Sequence, residues 1–388
     1  MKMVINAASA KMGGAVTYLA SLLRHLPPRQ SGHEFYIFLP PETAEKLKGL
    51  NENISLIPTT KGHARWWKRL WWEQVTLRRC LAALHADVLF STANFGMFGC
   101  PVRQILLVRI SLYFSRIYAD LFLPRHSPRF RWSFRLRRWL CCQSVRCADV
   151  VMTPTQAMLD DLRAYVDVSP TKGMANHYGA TEPVDKDMDC WCPRREQFPV
   201  RLLYISLYAE HKNLTTLLKA IPLLNKDGTG EFVLATTVNP AWQAASWTLT
   251  CKSDTELAHR QDVAPWVKFA GPLGPNEIEE QYRSADIFVF PSIAESFGHP
   301  LVEAMAHGLP IVASDTPVNR EMCGDAAIYF RPLDSGHLAQ TIRRVAMSQL
   351  LQNRLSLEGI RRVRARFNWH THVSRILQIS RMEYAGQS

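Results

Sequence analysis

The sequence predicts an α/β protein made of two successive Rossmann-like, doubly wound domains. Two observations predict it. Apolar runs of strand length recur along the chain, each followed by apolar residues at helical spacing. That alternation breaks once, near residues 181–200, where three prolines and alternating acids without periodicity read as a linker. The predicted domains are therefore 1–182 and 183–370, with a helical stretch at 371–388 after them.

Taken in order, residues 3–8 (MVINAA) form the first strand. Gly13-Gly14 follow, then a helix with Val16, Leu19, Leu22, Leu23 and Leu26 on one face. Strand, glycine turn and helix open a doubly wound domain. Without Cβ atoms the turn can approach a phosphate or sugar closely. Further buried strands are predicted at 35–39, 54–57, 88–90, 105–108 and 150–152, with a helix starting near Thr155. Beyond the linker come a strand at 202–206 and a helix at 214–224 with Asn213 as its N-cap. Strands at 232–236, 267–269, 287–290, 311–313 and 328–330 complete the second domain.

Residues 284–325 carry the most chemistry. A buried strand leads into a loop with Glu295 and Gly298, then a short helix opened by Pro300, then another buried strand. Proline in the first helical turn forfeits no hydrogen bond, and Gly308 sits where the helix C-terminus favours a left-handed residue. Glu295 and Glu303 straddle the helix start. The exposed N–H groups there favour an anion such as a diphosphate, and a carboxylate beside it is placed to accept from sugar hydroxyls.

Glu295, Phe297, Gly298, Pro300, Glu303, Ala304, Met305, Ala306, Gly308 and Pro310, followed by IVAS, closely resemble the donor-site motif of retaining glycosyltransferases of family 4, E-x-F-G-x-P-x-x-E-A-M-A-x-G-x-P-V-V-A-S. The resemblance implies the two-lobed GT-B fold, with an interdomain cleft and the C-terminal helix crossing back onto the first lobe. It implies a nucleotide-sugar donor whose diphosphate lies around Gly298, His299, Pro300, Leu301 and Val302, with Phe297 beside them and Lys212 assisting. Glu303 would hold ribose and Glu295 the transferred sugar, Leu273 would border the base, and the Gly13-Gly14 turn would face the donor. No cofactor and no metal are implied, the donor being a substrate.

Two positions depart from the family pattern. Leu207 stands where an arginine usually grips the diphosphate, with Ser206 in place of a glycine, and leucine cannot replace a guanidinium fork. His211 or Lys212 with the helix dipole would then carry that charge. Arg109 occupies the place of the usual first-domain histidine, which makes it a candidate catalytic residue. Glu321 resembles the acidic residue that follows the donor motif, with a structural role.

Bulk properties narrow the class. Hydrophobic residues make up 47% and charged residues 21%, ordinary for a globular protein. No apolar run reaches the ~18 residues that span a bilayer. MKMVINAASAKMGG, broken by Lys11, reads as a strand rather than a leader, so the expectation is a cytoplasmic chain whose mature form begins at or near Met1. Nine irregularly spaced cysteines argue against a disulfide framework or a structural zinc. The D-x-D-x-D run at Asp185, Asp187 and Asp189, with Glu196, lacks the glycine of a calcium loop, and His370 and His372 lack partner ligands.

Between residues 61 and 146, sixteen Lys and Arg stand against Glu73, Asp87 and Asp120, an excess larger than the net +12 of the whole chain. Segments 61–80 and 129–146 interleave these cations with tryptophan. At ~100° per residue, Trp67, Leu70, Trp71 and Leu77 share one side, and Arg65, Lys68, Arg69 and Arg79 the other with Trp72. Such faces suit an anionic membrane surface. No nucleic-acid-binding motif accompanies them.

The expected function is a retaining, metal-independent hexosyltransferase acting on a glycan or a polyprenyl- or other lipid-linked acceptor, peripheral on the inner face of the cell membrane. Bacterial surface polysaccharide assembly is its natural setting. Two alternatives stand beside it: a nucleotide-sugar epimerase on the same fold, and a degenerate scaffold subunit.

Overall fold

A computed structural model of the chain describes all residues except 12, 48, 50, 64–65, 181–198, 227–231, 239–247 and 382–388, with backbone alone for 63, 66 and 67. The described residues form two compact units. One comprises those of Met1–Phe114, Pro128–Gly179 and Asn368–Ser388, the other those of Ser115–Ser127 and Ala180–Phe367. Residues 181–198 of the expected linker lie outside the described residues, while Val200, at its expected end, already belongs to a strand.

The first unit holds seven strands: β1 (Lys2–Asn6), β2 (Glu34–Leu39), β3 (Ile54–Pro58), β4 (Val88–Ser91), β5 (Arg103–Leu107), β6 (Val150–Thr153) and β7 (Gly173–Ala175). They pair in the order β3-β2-β1-β4-β5-β6-β7, and every pairing is parallel. Val4, Ile5, Leu89, Phe90 and Leu106 are fully buried. Burial on both faces is what a parallel sheet covered by helices demands. β7 is absent from the sequence reading because its three half-exposed residues, GMA, carry no apolar run.

The second unit holds β8 (Val200–Tyr204), β9 (Phe232–Thr236), β10 (Val267–Phe269), β11 (Ile287–Phe290), β12 (Ile311–Ser314) and β13 (Ala327–Phe330). Their order is β10-β9-β8-β11-β12-β13, again all parallel. The core packs Leu202, Tyr204, Ile287 and Val289 against Leu217, Ile221, Leu338 and Ile342 from the helices Leu214–Leu224 and Ser335–Ala346.

In both sheets the order reverses once, between β1 and β4 and between β8 and β11. At such a reversal the loops leave the carboxyl edge in opposite directions and open a crevice.

Two segments join units distant in sequence. The helix Trp369–Arg381 packs on the helix Gly14–Arg24 of the first unit. There the Tyr18 hydroxyl lies 3.1 Å from His372 Nε2, and His177 O lies 3.0 Å from His372 Nδ1. Burial pushes His372 down to about 3, so its ring is neutral. Residues Ser115–Ser127 belong to the second unit, not to the first where a boundary at 182 puts them. The Tyr118 hydroxyl donates to Glu210 Oε1 at 2.5 Å, His126 Nε2 lies 2.6 Å from the same oxygen, and Leu249 N–H donates to Glu210 Oε2 at 2.8 Å. These bonds satisfy a buried carboxylate.

The tryptophan helix corrects the sequence reading. Trp72 is buried against Phe38, at 5.7 Å between ring centroids, while Trp71 is 60% exposed. Over Trp72–Thr76 the helix widens, and the Leu77 N–H donates to Trp72 O, five residues back. Five residues at ~100° leave Trp72 and Leu77 about 140° apart in an α-helix, but an i to i+5 turn stacks them on one face. The uniform wheel fails at that turn.

Trp72→Ala should therefore lower the stability of the protein to urea by about 3–5 kcal/mol, and Trp71→Ala by no more than about 0.5 kcal/mol. Equal losses from the two substitutions would contradict the burial of Trp72 and the exposure of Trp71.

Candidate active site

The site forms at the β8/β11 reversal. Tyr204, at the end of β8, donates its hydroxyl to Lys212 O at 2.9 Å. From the loop after β11, Ser292 Oγ donates to His211 O at 3.2 Å and Ile293 N–H donates to the same oxygen at 2.9 Å. The two loops are thus laced together, and Lys212 Nζ meets Glu295 Oε1 at 2.5 Å, with side-chain exposures of 22% and 10%. Asn213 stands at the helix start but does not cap it. Its left-handed backbone (φ +56°) turns the side chain away, so Nδ2 donates to Pro291 O and Oδ1 accepts from the Thr216 hydroxyl.

The helix His299–Ala306 begins at Gly298, whose φ of +78° is left-handed. A Cβ at Gly298 would lie 3.1 Å from Leu301 Cδ1, so glycine suits the position on both counts. Phe297, Leu301 and Val302 are buried and anchor the turn to the core. Pro300 has no N–H and the Leu301 N–H already donates to Gly298 O at 2.9 Å, so it is chiefly the helix dipole that makes this helix start favour an anion.

Glu303 lies on that helix one turn in. Tyr282, from the helix Pro275–Ser284, donates its hydroxyl to Glu303 Oε2 at 2.8 Å and stacks on His307 at 4.8 Å. Burial pushes the Glu303 carboxyl up, against the opposing pull of the Tyr282 bond.

His211 does not supply a second positive charge. Burial, reinforced by the Lys212 ammonium, holds it well below the ordinary histidine range, and among the described residues its buried Nδ1 has no hydrogen-bond partner. Leu207, at the missing arginine, is 54% exposed. Leu273 is half-buried in the turn after β10.

Gly13, Gly14 and Arg109 lie in the first unit. Gly13 (φ +59°, ψ −150°) occupies a region essentially reserved for glycine, exposed after β1. Arg109 follows β5, its guanidinium 5.6 Å from the Tyr18 ring centroid and its N–H donating to Asn94 Oδ1. Glu321 is structural in one respect: its carbonyl accepts from Arg362 Nη2 at 2.7 Å. Asp185, Asp187, Asp189 and Glu196 lie outside the described residues, and among the described residues no group of three or more His, Cys, Asp or Glu is arranged to hold a metal.

Sequence reasoning missed Tyr282, Tyr204 and Ser292. Each acts on a site residue through one hydroxyl, and nothing in a linear pattern marks a hydroxyl that meets a carboxylate 21 residues away.

A profile described as glycosyl transferases group 1 matches residues 199–348, and one described as Glycosyltransferase Family 4 matches residues 12–174. The chain belongs to the family 4 glycosyltransferases, and its two parallel α/β units have the GT-B architecture. It is 30% identical over 146 residues to an O-antigen chain mannosyltransferase B of Escherichia coli, covering 36% of this chain and 36% of that protein. The match thus spans little more than a third of the relative's length. Among solved structures, WaaG, a glycosyltransferase involved in lipopolysaccharide biosynthesis, is similar with a TM-score of 0.71 over 98% of this chain and 100% of that one, at 14% identity. Anabaena HepE in complex with UDP-glucose is similar at 0.70 over 98% and 99%, at 17% identity. Identities this low bear on the fold alone.

The raised Glu303 carboxyl has a stability signature. Its folded state holds the proton more tightly than the unfolded chain does, so stability falls as pH rises through the unfolded carboxyl value of about 4.3 towards the folded one. The wild-type protein should lose urea resistance relative to Glu303→Gln between pH 4 and pH 7.5. A constant difference across that range would contradict the burial of this carboxyl.

Proposed function

We propose that the protein transfers a hexose, of the mannose or glucose type, from a nucleotide-sugar to a glycan or lipid-linked acceptor in bacterial surface polysaccharide or lipopolysaccharide biosynthesis, with retention of configuration and without a metal. The observation that carries this reading is the meeting of Lys212 and Glu295, 2.5 Å apart, beside the start of the helix His299–Ala306. The donor diphosphate would lie at that helix start. There the dipole and the Lys212 ammonium stabilise the negative charge that grows on the leaving nucleotide. A lysine bound to Glu295 in the free protein is held near where that charge develops. Glu295 would orient the sugar, and Glu303, aimed by Tyr282, would accept from the ribose hydroxyls. The neutral His211 can donate or accept a hydrogen bond there, so Lys212 is the cation that substitutes for the missing arginine. The mannose reading leans on the similarity to the O-antigen mannosyltransferase, the glucose reading on the fold shared with the UDP-glucose complex.

The acceptor side would work at the cytoplasmic membrane surface. Trp71, Trp132 and Trp139 are 60%, 67% and 55% exposed, and the last two stand seven apart on the helix Pro128–Cys147. Tryptophan beside arginine suits the headgroup level of an anionic bilayer. No helix among the described residues is long and apolar enough to cross a membrane.

A panel of UDP-, GDP-, ADP- and dTDP-sugars should contain one that raises the melting temperature of the wild-type protein and not of Glu303→Ala, because only a folded site binds it. With that donor, Lys212→Met should lower kcat/KM by about 100-fold, roughly 2.7 kcal/mol of transition-state stabilisation. Failure of every nucleotide to shift the folded protein would favour the scaffold alternative.

In a second experiment, the protein should sediment with vesicles containing phosphatidylglycerol and not with phosphatidylcholine alone. Trp132→Ala/Trp139→Ala should weaken that association about 10-fold. Indifference to both lipid charge and the two tryptophans would remove the membrane from the reading.

A further inference from the structure

Between Gly62, Arg69, Leu70 and Glu73 on one side and the helix Pro128–Cys147 on the other, wholly within the first unit, lies a cavity of about 380 Å³. Its walls are largely apolar and aromatic, with Phe95, Phe98, Tyr113, Leu136 and Leu140 among them. The exposed Trp132 stands on its rim. It lies at the carboxyl edge of the first sheet, beside the β1/β4 order reversal. Phe95 and Phe98 come from the loop after β4, and Glu73 accepts from Nδ2 of Asn6, the last residue of β1, at 3.3 Å. In open α/β sheets that edge is where ligands enter.

The charged groups in the cavity do not cancel. Arg69 and Arg137 face one carboxylate, Glu73. Arg69 Nε donates to Glu73 Oε1 at 3.0 Å, and the guanidinium carbon lies 5.8 Å from the Phe95 ring centroid. Among the described residues, the buried Nη2 of Arg69 has no hydrogen-bond partner. A buried N–H of a cation left unpaired is costly, and its natural complement is an anionic oxygen. An apolar-walled cavity with one unspent guanidinium donor and a second arginine nearby fits an amphipathic anion, with chain and charge joined in one molecule.

We infer that this cavity binds the phosphate end of a lipid-linked phosphate, with Arg69 Nη2 donating to a phosphate oxygen and the aromatic walls covering the first part of the lipid chain. The assignment rests on the lipid-linked acceptor of the proposed reaction and gives that acceptor a site. Arg137, exposed at the helix surface, adds the second positive charge, and Trp132 leads from the cavity to the bilayer surface.

Titration calorimetry with farnesyl phosphate, below its micellar concentration, on the full chain tests this. One saturable site is expected, with farnesol and inorganic phosphate each binding about 10-fold more weakly or worse, since each supplies only half of the ligand. Ser133→Phe fills the cavity without touching the ion pair and should abolish binding at an unchanged melting temperature. R69M/E73M removes both charges together, so that no buried carboxylate is left alone, and should weaken binding about 10-fold or more. If the double variant melts early, Ser133→Phe carries the test. Equal binding by wild type and Ser133→Phe, no binding to wild type, or phosphate binding as tightly as farnesyl phosphate would each overturn the assignment. The nucleotide-sugar melting shift, read on the same samples, keeps the two readings apart. Farnesyl phosphate binding lost with the donor shift retained sinks the cavity assignment alone, and the reverse sinks the transferase reading alone.

Discussion

Lys212 and Glu295 are 83 residues apart and touch because β8 and β11 are neighbours in a parallel sheet whose order reverses between them. Every strand of such a sheet delivers its following loop to the same edge, so the reversal alone decides which two loops diverge and leave a crevice. The rest of the second unit's site follows from it. The loop after β11 runs straight into the helix His299–Ala306, so the helix start arrives beside the ion pair without further design. Glu303 is carried one turn along that helix, and Tyr282 reaches it from the preceding helix. Weakening the β8–β11 pairing would disperse residues that no local sequence could bring together.

Most of the second unit was legible in the sequence because its strands are continuous apolar runs, and such runs mark both their existence and their limits. β9, β10 and β11 and the helix Leu214–Leu224 fall on their predicted bounds. Glu295, Gly298, Pro300 and Glu303 were legible for a different reason, since a positive-φ glycine, a first-turn proline and two carboxylates each have a local geometric requirement. What stayed hidden depended on the third dimension or on a break in regularity. Asn213 has the residue type of a cap but a left-handed backbone that points its side chain at Pro291. Trp72 was misassigned by one widened turn, and the departure of Ser115–Ser127 to the second unit leaves no compositional trace.

Carboxylates in or beside the core show how differently one chemical burden is met in this chain. Glu73 has an arginine and an amide, Glu210 has a tyrosine hydroxyl, a histidine and a backbone N–H, and Glu303 has the hydroxyl of Tyr282. An ion pair or several donors can hold a carboxylate in a poorly solvated place at tolerable cost. Hydroxyl donors alone compensate less: burial displaces upward the carboxyls of Glu303, which accepts from Tyr282, and of Asp254, which accepts from the hydroxyls of Tyr208 and Thr215. Of these, Glu303 is the one carried on the helix His299–Ala306, beside the loop that bears Glu295.

The crossing of Ser115–Ser127 into the second unit, with residues 368–381 serving the first, makes both units discontinuous in the gene. Cutting the chain within 181–198 therefore does not yield two domains. The downstream fragment would carry Glu210 buried without Tyr118 or His126, and the upstream fragment would lack the helix that covers Tyr18. Recombination between relatives at the obvious midpoint would inherit the same defect. The chain is constrained to be exchanged, expressed and selected as one indivisible reading frame, although it is built from two sheets that share no strand.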